Sequence, residues 1–200
     1  MKCEDAQMNK NDLRYKKTED KLRSALVSLL KRNTLESVSV RDICEKAGCS
    51  RNAFYLHYET KEDLYEAIIN SVTEKLIYAL QADTNVFESR DEHTIIQYYD
   101  KIIDAIILHR DELDVLIKRD QGVLMMKLAK AIFAGNQETI HAFVVKEPTV
   151  EGSLNAAFLS AGIVGFIYEW FTNPGITDQM AKDFLIKVDN ENRNIYRKAL

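Results

Sequence analysis

Along most of this chain apolar residues recur at three- and four-residue intervals, the period of helices with one buried face. Leu22, Ala25, Leu26, Leu29 and Leu30 form such a stripe, and predict a first helix over about residues 15–32 with lysines and arginines around it. Val40, Ile43, Cys44 and Ala47 repeat the pattern at i, i+3, i+4 and i+7. A longer run, Leu64, Tyr65, Ile68, Ile69, Val72 and Leu76, predicts a helix over about 61–81. Ile95, Ile96, Tyr99, Ile102, Ile103, Ile106 and Ile107 mark another, and His109-Arg110-Asp111 interrupts it, so a bend or a new helix is expected there. Helices over about 111–120, 122–146, 151–172 and 177–198 complete the chain, the second of these ending before Pro148 and the third stopped by Asn173-Pro174-Gly175. Seven glycines and two prolines are too few for many strands and turns. The expected fold class is all-α, with about nine helices.

Helix punctuation is densest between Ser39 and Lys61. Ser39-Val40-Arg41-Asp42 spells a capping box, in which a side-chain oxygen and a carboxylate satisfy the orphan amides that open a helix. Gly48 stands where that helix must stop, a place that favours a left-handed backbone. Ser50 can cap a following short helix, on which Phe54 and Tyr58, four residues apart, turn back toward the first. Thr60-Lys61-Glu62-Asp63 is a second box, and Ser89-Arg90-Asp91-Glu92 a third further on. Two short amphipathic helices joined by an Ala-Gly-Cys turn suit a helix-turn-helix, whose second helix is presented to the DNA major groove.

From about Tyr15 to Ile69 the chain resembles the DNA-binding domain of TetR-type (TetR/AcrR) transcriptional regulators. The likeness is carried by the basic first helix, the run V-S-V-R-D-I-C-E-K-A-G-C-S, and the run F-Y-L-H-Y-E-T-K-E-D-L, in which Phe54, Tyr55, His57, Tyr58 and Lys61 stand in register. Asn52, where many members carry a small residue, and Leu56, often polar or aromatic there, depart from the pattern. The resemblance implies a helix-turn-helix domain over about 12–61 and a helical ligand-binding and dimerisation domain over 62–200. It implies a repressor that binds a palindromic operator as a homodimer through its last two helices and is released by a small molecule. The alternative in the same family is a co-activator acting through a protein partner.

Charge fits that division. Residues 1–61 hold 13 Lys/Arg against 9 Asp/Glu, whereas residues 62–200 hold 14 against 22. Basic charge therefore sits where phosphates would be met, although the whole chain is net −4. Within the helix-turn-helix, Ser50, Arg51, Asn52, Ala53 and Tyr55 fall on the outward or N-terminal part of the second helix. Arg51 suits guanine and Asn52 adenine, the pairings that base-edge geometry favours. Tyr55, His57, Lys61 and the Ser39 hydroxyl suit phosphates, and Arg41 either.

For the body, the resemblance implies a small-molecule pocket, with Tyr65, Tyr98, Tyr99, His109, Met125, Met126, Phe133 and Phe158 as candidate lining. Each also has an ordinary role as helix core. Asp111, Glu112 and Asp114 read as a solvated face. Small residues Ala156, Ala157, Ser160, Ala161, Gly162 and Gly165, beside Phe158, Phe166, Tyr168, Trp170 and Phe171, suit close approach of a partner helix. Cys3, Cys44 and Cys49 form no C-x-x-C and no zinc spacing, so they read as free thiols with no metal or cofactor expected. The polar N-terminus lacks a signal-peptide pattern. Residues 152–168 are uncharged and of near-spanning length, but their serines, asparagine and glycines favour a helix buried against other protein, with no membrane span and a cytoplasmic setting. No G-x-S-x-G, H-E-x-x-H, P-loop or G-x-G-x-x-G appears, so an enzyme is not expected.

Overall fold

A computed structural model describes residues 13–80, 91–119, 122–143 and 150–199. Among the described residues there are helices and no strands: α1 Leu13–Leu30, α2 Val40–Ala47, α3 Arg51–Tyr55, α4 Lys61–Leu80, α5 Glu92–Leu108, α6 Arg110–Arg119, α7 Val123–Phe143, α8 Val150–Thr172 and α9 Asp178–Ala199. The chain divides into two compact units, one ending at Asn70 and the other beginning at Ser71. The division falls inside α4.

The first unit is built on the apolar stripes of α1 to α4. Leu22, Leu26, Leu30, Ile43, Phe54, Leu64 and Ile68 are fully buried. Each such side chain contributes roughly 1.5–3 kcal/mol by leaving water. Two polar links tie α1 across this core: Arg23 donates to the Ala67 carbonyl at 3.2 Å, and the Tyr58 hydroxyl meets Glu19 at 3.1 Å. Burial and the Glu19 carboxylate push the Tyr58 phenol well above its ordinary pKa, so it stays a neutral donor.

In the second unit Ile102, Ile103, Ile106, Leu113, Leu116, Leu124, Leu128, Trp170 and Phe171 are buried. The isoleucine stripe does end at His109, which closes α5 before α6 begins at Arg110. Arg110 then lies over Trp170 at 5.3 Å and Phe171 at 5.1 Å, and pairs with Asp178 at the start of α9. Trp170 Nε1 donates to the same carboxylate at 3.2 Å. The Glu112 carboxylate accepts from His109 Nδ1 at 3.0 Å, and Asp114 pairs with Lys118, so these two acids are partnered.

One expectation changes. The third capping box is not the one used: α5 opens on Asp91, which accepts from the Thr94 amide at 3.0 Å. Ser89, with most of the 82–92 connection, lies outside the described residues. Asp91 is itself a strong cap residue, and it sits nearer the apolar stripe. Within the chain itself, only 17% of the apolar window of α8 is buried. Val150–Thr172 has the length and mean hydropathy, 1.5, of a membrane-spanning segment. Its buried residues Ala156, Ser160, Ile167, Trp170 and Phe171 follow one face, and the Ser160 hydroxyl is satisfied by the Ala156 carbonyl at 2.6 Å.

Candidate nucleic-acid interface

Local chemistry sets α2 and α3 at a fixed angle. The Ser39 side chain accepts from the Asp42 amide at 3.2 Å, and Asp42 accepts from the Ser39 amide at 2.9 Å, completing the box. The Ser39 hydroxyl also donates to the Asp42 carboxylate at 2.6 Å, and this bond, with that from the Ser39 amide, holds the Asp42 carboxyl below its ordinary pKa. At the other end Gly48 adopts φ 65°, ψ 40°, a left-handed conformation that a β-carbon would strain. The turn closes when the Gly48 amide donates to Glu45 at 3.3 Å and the Cys49 amide to Cys44 at 3.1 Å. Ser50 then caps α3 by accepting from the Ala53 amide at 3.1 Å. Thr60 and Asp63 exchange the same pair of bonds, at 2.8 and 3.0 Å, and start α4.

With only five residues, α3 turns Phe54 inward and leaves little else enclosed. Ser50, Arg51 and Asn52 are exposed, and Ala53 is half-buried. Tyr55 is 56% exposed and Leu56 60%. Polar groups able to read base edges thus stand together at the open N-terminal end of the helix. Beside them a cleft of about 390 Å³ is lined by Val38, Ser39, Val40, Tyr55, Thr60 and Lys61 among others. The N-terminal turns of α2 and α4 both reach this cleft, and Glu36, Glu59 and Glu62 line it as well, so its charge is mixed. Arg41, on α2, spans to Glu45 at 2.8 Å in a fully exposed pair, which water and salt screen enough for Arg41 to exchange partners.

Two expected phosphate ligands are placed otherwise. Lys61 Nζ donates to the carbonyls of Leu35 at 2.7 Å, Glu36 at 3.1 Å and Val38 at 2.8 Å. An ammonium has three protons, and all three are used. The side chain is only 19% exposed. Lys61 therefore fastens the α1–α2 loop to the start of α4. His57 packs against Tyr15 of α1, with ring centroids 3.8 Å apart and planes tilted by 34°, and its Nδ1 is buried with no hydrogen-bond partner. Burial lowers its pKa against a smaller opposing pull from Glu19, so the ring facing α1 is neutral at pH 7.

The model of the bacterial regulatory proteins of the tetR family matches residues 22–68, from α1 into α4. The HTH-type transcriptional regulator YxbF of Bacillus subtilis (strain 168) is 37% identical over 62 residues, which are 31% of this chain and 16% of YxbF. Residues 22–68 therefore carry this family's N-terminal domain. That domain is a DNA-binding helix-turn-helix used in transcription regulation, and the family consists of regulators rather than enzymes. Solved TetR-family structures share the fold beyond this domain. A regulator from Syntrophomonas wolfei str. Goettingen superposes with TM-score 0.65 at 16% identity, covering 89% of this chain and 95% of its own. NalD, the secondary repressor of the MexAB-OprM multidrug efflux pump in Pseudomonas aeruginosa, gives 0.61 at 16%, covering 88% and 95%.

The candidate effector residues differ in burial. Tyr98 and Tyr99 meet edge to face at 5.2 Å, and Tyr65, Met125 and Phe133 are half-buried. His109 is engaged with Glu112. Met126, 61% exposed, and Phe158, 79% exposed, stand on the surface, so neither has the enclosed position expected of it. Helical spacing marks a face as apolar without saying what covers it.

Proposed function

We propose that this protein is a TetR-family regulator that binds a palindromic operator as a homodimer, represses from it, and is released by a small apolar molecule. The observation that carries the reading is the Ser50-capped end of α3, where Arg51, Asn52 and Tyr55 are exposed together beside the α2 and α4 N-termini. Arg51 and Asn52 read bases. Ser39, Arg41, Ser50, Tyr55 and the backbone at Ala53 fix register on phosphate and sugar. Lys61 and His57 hold the reading head in shape.

A five-residue helix reaches too few base pairs for an operator, and a two-fold dimer doubles the count. The dimer uses α8 and α9. Leu154, Phe158, Ala161, Gly165 and Tyr168, spaced four and three apart, are all exposed on α8. Met180 and Phe184 are exposed on α9, and Phe184 stacks on Phe166 at 5.7 Å, which joins the two surfaces. An apolar strip of this length is a surface for partner protein. Release follows if the effector prefers a body conformation that moves α4, because α4 supplies residues to both units. A ligand with equal affinity for both conformations would shift nothing.

Binding measured by fluorescence anisotropy on duplexes selected from a random pool tests the core of this reading, with light scattering for mass. A dimer with sequence-selective, salt-sensitive binding is expected. No binding to any duplex at low salt, or a monomer at micromolar concentration, would overturn it. Apolar compounds found by thermal shift should then weaken operator binding; if every tight ligand leaves it unchanged, control by a protein partner replaces release by a small molecule.

A further inference from the structure

The turn between α2 and α3 holds two thiols at positions that the backbone itself brings together. Residues 44–49 form a closed C-terminal cap: the Cys49 amide donates to the Cys44 carbonyl at 3.1 Å and the Gly48 amide to Glu45 at 3.3 Å. This paired closure around a left-handed glycine sets the side chain after the glycine against the side chain three residues before the cap. In most proteins that contact is hydrophobic. Here both partners are cysteines, Cys44 buried and Cys49 half-buried, and both are free. After burial, Cys49 is the neighbour that most raises the Cys44 thiol's pKa. Cys44 Sγ also donates to the Ser50 carbonyl at 3.8 Å. That carbonyl accepts the Phe54 amide at 3.1 Å and so begins α3.

We infer that Cys44 and Cys49 are a peroxide-sensitive dithiol whose closure to a disulfide disables the reading helix. The Cys49 sulfur, reachable from solvent, attacks one peroxide oxygen. The O–O bond breaks, water leaves, and Cys49 becomes a sulfenic acid. Cys44 then attacks the Cys49 sulfur, the S–O bond breaks, a second water leaves, and the disulfide forms. One peroxide is reduced to two waters while two thiols lose two hydrogens. Burial pushes the Cys44 thiol up to about 11, against a weaker opposing pull from Arg51. Cys44 is therefore the slow, resolving partner and Cys49 the sensing one. Covalent closure draws the residue before the α3 cap toward α2 and removes the thiol donor from the Ser50 carbonyl. Arg51 and Asn52 are the next residues along, so the displacement falls on the groups that read bases.

The consequence for DNA rests on the proposed function, whereas the chemistry does not, and the experiment separates them. Full-length protein carrying Cys3→Ser is treated with hydrogen peroxide, with and without later reduction. Peptide mass spectrometry should show loss of two hydrogens in a peptide spanning both cysteines, and thiol titration should show both consumed. Affinity for a duplex selected by the reduced protein should fall at least tenfold and return on reduction. Cys49→Ser should keep duplex binding and lose its peroxide sensitivity; Cys49→Ala checks that the serine hydroxyl is not responsible. Over-oxidised Cys49 with Cys44 unchanged would overturn the dithiol. A disulfide that leaves duplex affinity unchanged would overturn the switch. Failure of the reduced protein to bind any duplex would refute the DNA reading, and the mass and thiol measurements would still decide the chemistry.

Discussion

Replacing Lys61 by methionine keeps most of the apolar stem and removes the ammonium. If Lys61 straps the α1–α2 loop to α4, the carbonyls of Leu35, Glu36 and Val38 lose their common donor. Hydrogen bonds to a charged group contribute roughly 1.5–3 kcal/mol each in a mutational comparison. Their sum overstates the loss, since one ammonium serves all three and water can reach the freed oxygens. Glu36 lies in exposed backbone, and its bond is the longest of the three. The expected loss is therefore about 2–3 kcal/mol, most of it from Leu35 and Val38. A chain of this length should show that as a fall in Tm of about 5–10 °C.

A lysine that only touched phosphate would behave in the opposite way. Its removal would leave the melting temperature alone. The slope of log affinity against log salt would instead become shallower by about 0.9 for each phosphate no longer neutralised. Thermal denaturation of Lys61→Met and Lys61→Arg, paired with salt-titrated operator binding, separates the two roles. The arginine variant keeps the charge but presents a planar fork, which suits a phosphate better than three converging carbonyls. Unchanged Tm in both variants, with a shallower salt slope for methionine alone, would refute the strap.

Arg51→Ala should relax preference at one base pair by about 1–3 kcal/mol while leaving binding to non-cognate duplex nearly intact, as read by competition across point-mutated operators. Gly162→Glu should give a folded monomer by light scattering and circular dichroism. A β-carbon there meets nothing within 4 Å, and glutamate is the better helix former, so a stable dimer of this variant would rule out the α8–α9 interface. Because burial lowers the His57 pKa from 6.5, the unfolded chain binds that proton more readily. Its contribution to stability is whole above pH 6.5 and declines as pH falls toward the folded value. His57→Phe should lack this decline below pH 6.5, and identical pH profiles for the two proteins would disprove it.

How much of this was legible in the sequence depends on the reach of each interaction. Ser39 with Asp42, Ser50 with Ala53, Thr60 with Asp63, and Gly48 at its turn are contacts among residues at most three apart, and reading the chain locates them all. Where two local signals compete, reading is less secure: Ser89 and Asp91 both precede the α5 stripe, and the structure uses Asp91. Lys61 and His57 fail for a different reason. The carbonyls that hold Lys61 lie 23 to 26 residues away in sequence, and the Tyr15 ring that covers His57 comes from α1. An outward-looking residue in a short motif is committed only when a distant segment arrives, and its spacing carries no record of that arrival. Phe158 shows the same limit on a larger scale. Its position on α8 is apolar in period, but a stripe facing its own core and one facing another copy look alike in one sequence. For this chain the motif residues therefore divide by their partners. Those whose partners lie within the motif were readable, and those held by α1 or the 35–38 loop required the structure.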